Sequence, residues 1–123
     1  TLNNVEWKVH TDRLQNQDFE VARYAWCADY NEASTFVDYF RTDGYNNGKF
    51  SNADYDKLLS DAKTAADPAP IYKAAEELLI GQMAIVPVYH YAKPMMVKPD
   101  LRGYPTANVM NDWYAKDMYR VAE

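Results

Sequence analysis

The sequence contains few of the residues that form common metal, redox and phosphate sites. Its single cysteine, Cys27, cannot close an intramolecular disulfide and cannot supply a multi-thiolate zinc site. The two histidines, His10 and His90, lie far apart and have no second ligand at helical spacing, and four glycines form no phosphate-binding loop. We therefore expect neither a metal nor a cofactor. Cys27 is either a reduced core thiol or one half of a bridge to a cysteine elsewhere.

Basic stripes and long apolar runs are also missing. The net charge is −5, and the lysines and arginines are not clustered, which argues against a nucleic-acid partner. The longest stretch without a formal charge, residues 78–92, contains fifteen residues, whereas a membrane span needs ~20 apolar residues. The sequence therefore predicts no transmembrane helix.

What the sequence does contain is typical of one globular domain with a binding surface. Its 123 residues are 48% hydrophobic and 25% charged, which is enough apolar material for a packed core. Aromatic residues make up 15%, and eleven of them are tyrosines. Aromatic rings with a polar tip suit a surface that is partly apolar and partly wet. The composition thus favours an aromatic-rich binding surface.

Hydrophobic spacing predicts a mixed sheet flanked by helices, an α/β or α+β fold. Apolar residues three and four apart predict helices over 32–40, 52–66 and 69–81, with Asn31 and Ser51 as caps of the first two, and a short helix within 8–17. Alternating or β-branched residues predict strands over 19–26 and 84–92 with 95–98, and the apolar stretch around 113–121 predicts a last strand. Residues 42–50 predict a loop and 99–112 irregular chain.

The segment from Arg23 to Asp29 places opposite charges on one face if it is extended. Arg23, Ala25, Cys27 and Asp29 then share a parity, and the two charges lie at most ~20 Å apart at ~3.3 Å per residue. One interpretation is structural: both charges meet surface partners, or Asp29 caps the following helix. The other is that an extended zwitterion lies along the strand and pairs with its backbone. Local physics leaves both open.

The chain carries a further series of motifs beside this segment. In order they are Asp18-Phe19-Glu20-Val21-Ala22-Arg23, Trp26-Cys27-Ala28-Asp29-Tyr30-Asn31-Glu32, Asn46-Asn47, Tyr55-Asp56-Lys57-Leu58, Ala84-Ile85-Val86-Pro87-Val88-Tyr89-His90-Tyr91, and Val97-Lys98-Pro99 with Gly103-Tyr104. This series resembles the periplasmic oligopeptide-binding proteins of Gram-negative ABC importers over nearly the whole chain. The resemblance implies that residues 1–123 are a C-terminal portion of a longer, two-lobed solute-binding protein, comprising part of one lobe and the strand that returns towards the other.

The resemblance also implies roles for individual residues. Asp29 stands where the family binds the peptide's α-ammonium, and Arg23 where a residue meets the carboxylate of short peptides. The backbone at Ala25 and Cys27 stands where the family pairs with the peptide main chain. The remaining implied contacts are aromatic or amide side chains of the cleft: Trp26, Tyr91 and Asn46. The implied bridge of Cys27 has its partner outside this chain, as the oxidising periplasm permits.

The function implied by the resemblance is non-catalytic capture of short peptides in the periplasm and delivery to membrane permease subunits. Three alternatives remain open from the sequence. A relative of the family binds another solute, such as a murein peptide or a nickel complex. The aromatic and acidic bias also suits a carbohydrate-binding or hydrolytic domain, and a truncated lobe with no activity of its own is the third.

Overall fold

The computed structural model describes residues 2–110 and 112–122. The helices are α1 (Trp7–Asn16), α2 (Ser34–Val37) with a 3₁₀ turn at Asp38–Phe40, α3 (Ala53–Ala62), α4 (Ala69–Gly81) and a second 3₁₀ turn at Ala115–Asp117. Two short strands, β1 (Leu101–Arg102) and β2 (Tyr119–Arg120), form an antiparallel pair. Within the described ranges, no helix has the length and apolar character that a membrane crossing requires.

Helices α3 and α4 form the predicted hairpin and hold the core. The α4 boundaries agree with the prediction, and α3 is shorter than predicted because it ends at Ala62. The predicted cap at Ser51 is wrong by one residue, since the Asn52 side chain accepts hydrogen bonds from the backbone N–H groups of Asp54 and Tyr55 at 2.9 and 3.0 Å. Both residues are good caps, and the local backbone decides between them.

The main core cluster joins this hairpin to α2. Its buried members are Val37, Tyr55, Leu59, Ala62, Tyr72, Ala75 and Leu79. The Tyr55 hydroxyl, fully buried, donates a hydrogen bond of 2.6 Å to the Val37 carbonyl. This bond satisfies the polar end of a core side chain and at the same time holds α2 against α3.

The predicted helix over 32–40 is confirmed in position, as α2 and its 3₁₀ turn, but its predicted cap is wrong. The residue preceding α2 is Ala33, and the side chain that receives the first free N–H is Glu32, which accepts from the Ser34 backbone at 2.9 Å and from the Ser34 hydroxyl. These bonds favour the charged carboxylate, so Ser34 lowers the pKa of Glu32.

The predicted strands over 19–26, 84–92 and 95–98 are wrong for the chain by itself. In the described structure these segments join no β-ladder, and the observed sheet is the two-residue pairing of Leu101 with Arg120 and Arg102 with Tyr119. Alternation in a sequence reports that a segment has two different faces, but a strand also needs a hydrogen-bonded neighbour. The last strand is confirmed at Tyr119–Arg120, and the short helix predicted within 8–17 is confirmed as α1.

Candidate ligand-binding site

The segment from Arg23 to Asp29 is held at its two ends by hydrogen bonds. At one end the His10 Nε2 on α1 donates to the Arg23 carbonyl at 2.9 Å. At the other, the Asp29 N–H donates to the Oγ1 of buried Thr35 on α2 at 3.0 Å. Between these two points, the backbone groups of residues 24–28 form no hydrogen bond with any other described residue. The segment is therefore tethered but keeps five consecutive peptide groups open for pairing.

The side chains of this segment separate according to the predicted parity. Tyr24 and Trp26, two positions apart, both contact the ring of Tyr39, with centroid distances of 5.4 and 5.2 Å. Arg23, of the other parity, instead places its guanidinium carbon 5.8 Å from the centroid of the Tyr91 ring. Alternate side chains of an extended segment point to opposite faces. The contacts thus agree with two faces, one aromatic and one carrying the charges.

Tyr91 comes to the site from the segment 84–98, distant in sequence. Its ring is packed edge-on against Tyr89 at 4.9 Å, and the guanidinium of Arg23 lies over it. A cation held over an aromatic face at this distance is attracted by the ring's electrons. The structure therefore brings together two of the residues that the sequence nominates, Arg23 and Tyr91.

The Asp29 carboxylate is exposed and has no ion pair or side-chain hydrogen bond among the described residues. The predicted cap at Asp29 is wrong, because Glu32 rather than Asp29 receives the first N–H of α2. The Asp29 backbone N–H is held by the Thr35 hydroxyl at 3.0 Å, and its carboxylate, which has no ion pair among the described residues, is available for a cationic group.

Ala25 and Cys27 are exposed, and Cys27 is a free thiol here. The resemblance suggests that their backbone groups bind the peptide main chain, and these groups form no hydrogen bond with any other described residue. Their contact with a ligand, and the bridge of Cys27, stay predictions. In residues 2–110 and 112–122, no cluster of histidine, cysteine or acidic side chains is arranged to hold a metal ion.

Asn46 has a structural role that the sequence does not reveal. Its side chain is buried, and both amide N–H groups are used, one by the Arg41 carbonyl at 3.1 Å and one by the Phe50 carbonyl at 2.5 Å. Its Oδ1 accepts from the Phe50 N–H at 3.0 Å. Asn46 therefore organises the loop 41–50, and its contact with a ligand stays a prediction with no free N–H to support it.

Sequence reasoning missed Tyr39 and Tyr45, which complete the aromatic surface around Trp26. The Tyr45 ring lies 6.4 Å from Trp26 and is stacked on Tyr39 at 6.2 Å. Burial raises the pKa of Tyr39, so its hydroxyl stays neutral over the ordinary pH range. The only sequence signal for these contacts is the unusual number of tyrosines, because a loop rather than a periodic element brings the rings together.

Two open cavities lie elsewhere. One, of about 570 Å³, is lined by residues between 103 and 117, including Tyr104 and Trp113, and the other, of about 330 Å³, is lined partly by Met95 and Met118. None of the nominated residues lines either cavity. The candidate site is therefore not one of these cavities but the exposed segment 23–29, which is held at its ends by hydrogen bonds to His10 and Thr35.

Comparison with known proteins gives the segment its context. No family model matches the chain. The chain is 38% identical over 122 residues to the periplasmic oligopeptide-binding protein OppA of Haemophilus influenzae, an alignment that covers 96% of this chain and 23% of that protein. It belongs to the oligopeptide-binding protein family. Another relative, the periplasmic murein peptide-binding protein MppA of Escherichia coli, is 39% identical over 98% of the chain.

Solved structures of this family also match. The structure of H. influenzae OppA in complex with RPPGFSPFR superposes with a TM-score of 0.80 and 36% identity, covering 99% of this chain and 25% of that one. This similarity confirms the predicted fold class, a portion of a bilobal solute-binding fold. The chain spans about a quarter of the length of the relatives it matches, and these relatives of the oligopeptide-binding family are named as binding proteins.

Proposed function

We propose that the protein carrying this chain binds short oligopeptides without chemical conversion and delivers them to the permease subunits of an ABC importer. Its proposed location is the periplasm of a Gram-negative bacterium, as named for the OppA and MppA relatives. Residues 1–123 are proposed to be the C-terminal portion, part of one lobe and the strand returning towards the other. Cys27 is proposed to bridge to a cysteine outside this chain.

The observation that carries the proposal is the unpaired backbone between the two tethers. Residues 24–28 offer consecutive N–H and C=O groups that no other described residue uses. An extended peptide that adds alongside such a segment gains main-chain hydrogen bonds that are independent of its side chains. The backbone of Ala25 and Cys27 is the proposed centre of this pairing, which suits a protein that accepts peptides of varied sequence.

The charges at the ends of the segment fix the direction of the peptide. The Asp29 carboxylate, exposed and without an ion pair among the described residues, is proposed to bind the α-ammonium. Arg23, held over Tyr91, is proposed to meet the carboxylate of a short peptide. Trp26 and Tyr91 are proposed to line the cleft beside peptide side chains. These assignments give each terminus of a zwitterion a partner of opposite charge.

The test is isothermal titration calorimetry of trialanine with the complete protein and its Asp29→Asn variant. A hydrogen bond to a charged group contributes ~1.5 to 3 kcal/mol, so the variant should lose binding free energy of about that size. Asp43→Asn is the matched control, because Asp43 is also an exposed carboxylate but lies in the loop 41–50. Equal affinities for wild type and Asp29→Asn would remove Asp29 from the site.

A murein peptide is the second candidate ligand, because the MppA relative is 39% identical over 98% of this chain. Competition of murein tripeptide against trialanine distinguishes the two, and an oligosaccharide in the same assay tests the carbohydrate alternative. Mass spectrometry of ligand that co-purifies with the complete protein identifies the bound class directly. Binding of the oligosaccharide alone would exclude peptide binding.

A further inference from the structure

Trp26 belongs to an aromatic cluster whose other members have no role in the proposed peptide contacts. The cluster, Tyr24, Trp26, Tyr39, Phe40 and Tyr45, is centred on Tyr39, which is 7% exposed and contacts each of the other four rings. Trp26 is 37% exposed and Tyr45 is 80% exposed. One buried ring therefore supports two rings that are open to solvent and 6.4 Å apart.

The loop 41–50 fixes the position of Tyr39. The Asn47 side chain donates a hydrogen bond of 3.0 Å to the Tyr39 hydroxyl, and the Asn46 N–H donates to the Tyr39 carbonyl at 3.1 Å. Gly44 lies so close that a Cβ there would be 2.6 Å from the same carbonyl oxygen. The Asn46 side chain also joins the two ends of the loop, through hydrogen bonds to Arg41 and Phe50. Tyr39 is therefore bonded to a loop that is itself held closed.

Exposed aromatic rings with a fixed base are suited to bind apolar side chains. Tyrosine and tryptophan provide a large contact area with few rotatable bonds, and ring pairs add to the gain from burial. Trp26 lies within the proposed peptide segment, whereas Tyr45 is contributed by the loop. The site therefore includes a ring from the loop 41–50 in addition to the ring of Trp26 from the segment 23–29.

We propose that Trp26 and Tyr45 form a platform that binds an aromatic side chain of the peptide, and that Asn47 and Tyr39 are the residues that position it. The inference rests on the proposed peptide binding and deepens it. Tyr45 contacts the ligand side chain directly. Asn47 acts through the Tyr39 hydroxyl, and Tyr39 acts through its contacts with Trp26 and Tyr45.

The test compares trialanine with the three tripeptides that carry one phenylalanine, at position one, two or three, by calorimetry on the complete protein. Wild type should prefer phenylalanine over alanine at one position, and Tyr45→Ala should reduce that preference, the ratio of the two affinities, about three- to tenfold. Tyr45→Phe, which keeps the ring, should retain the preference. No phenylalanine preference in wild type, or an unchanged preference in Tyr45→Ala, overturns the platform.

A double-mutant cycle tests the positioning role. Asn47→Ala and Tyr39→Phe each remove one partner of the same hydrogen bond, so their effects on the phenylalanine preference should not add in the double variant. The Trp26 fluorescence, taken as the difference between each protein and the same protein with Trp26→Phe, should change its acrylamide quenching in Asn47→Ala. Additive effects, or unchanged preference and quenching in Asn47→Ala, overturn the positioning role.

The same measurements separate this inference from the proposed function. Trialanine binding by wild type, together with a phenylalanine preference that is absent or does not depend on Tyr45, would refute the platform and leave peptide binding in place. Absence of binding by all four tripeptides would refute both peptide binding and the platform, and the Trp26 quenching would still decide whether Asn47 positions that ring. Circular dichroism of each variant confirms that the helices are retained.

Discussion

Replacing Tyr55 by phenylalanine tests the bond that seats α2 on the core. Tyr55 is fully buried, and its hydroxyl donates to the Val37 carbonyl at 2.6 Å. The variant keeps the ring, its contacts with Leu59 and the rest of the core, and its edge-on packing with Phe50 at 5.3 Å. The change is therefore confined to one buried hydrogen bond and the space of one oxygen atom.

The expected loss is about 1 to 2 kcal/mol of unfolding free energy. A typical intramolecular hydrogen bond contributes ~1 kcal/mol net, and removal of a partner from a buried acceptor adds part of a desolvation penalty of ~1 to 3 kcal/mol. Burial raises the pKa of Tyr55, so the hydroxyl is a donor throughout the neutral range. The loss should not depend on pH between 6 and 9.

Urea unfolding of the complete protein, followed by circular dichroism, measures this loss. Tyr45→Phe is the matched control, because the Tyr45 ring is 80% exposed and its substitution should stay within ~0.5 kcal/mol of wild type. Hydrogen exchange locates the effect, and we expect faster exchange in α2 than in α4. Equal unfolding free energies for Tyr55→Phe and Tyr45→Phe would refute the argument that this bond stabilises the fold.

Three further predictions concern pH, the backbone and the size of the site. Burial raises the pKa values of Tyr39 and Tyr55 above their ordinary value of 10.0. The folded state therefore holds these two protons more tightly than the unfolded state, and their contribution to the free energy of unfolding is complete below pH 10. Urea midpoints should fall as the pH rises above 10. Gly103→Ala should destabilise the fold by at least ~1 kcal/mol, because Gly103 has φ +79° and a Cβ there would meet the Asp117 carbonyl oxygen. Gly48→Ala is the control, because a Cβ at Gly48 meets nothing within 4 Å. Equal urea midpoints for the two variants would contradict this prediction. The 123-residue chain alone should bind trialanine far more weakly than the complete protein by calorimetry, and equal affinities would show that this portion forms the whole site.

The helices were the most predictable part of the structure because their signals are local. The apolar spacing of α4 gives its boundaries directly, and Asp67 accepts from the Ala69 N–H at 3.1 Å, as expected at the start of a helix. The caps were less predictable. Asn31 and Ser51 were good candidates by residue type, but the side chains of Glu32 and Asn52 accept the first N–H groups of α2 and α3. Capping depends on backbone angles that residue type alone does not fix.

The strands and the aromatic cluster could not be predicted because they depend on distant partners. Residues 19–26 alternate as a strand does, yet in the described structure they have no ladder. Tyr39 lies in the 3₁₀ turn and Tyr45 in the loop that follows it, and only the folded path of that loop stacks the two rings. The pairing of Arg23 with Tyr91 is likewise a long-range contact. The family resemblance nominated that pair, but no local pattern predicted that they would meet.

The position of Asp29 is controlled by the core through a short series of contacts. Its N–H is bonded to Thr35 on α2, and the end of α2 is bonded through the Val37 carbonyl to Tyr55 in the core. The other end of the segment is attached separately, through His10 on α1. Two independent tethers set the spacing between the proposed ammonium and carboxylate sites while leaving the peptide groups between them unpaired among the described residues. A change in the core at Tyr55 should therefore alter peptide affinity through Asp29 and leave the Arg23 end of the site unaffected.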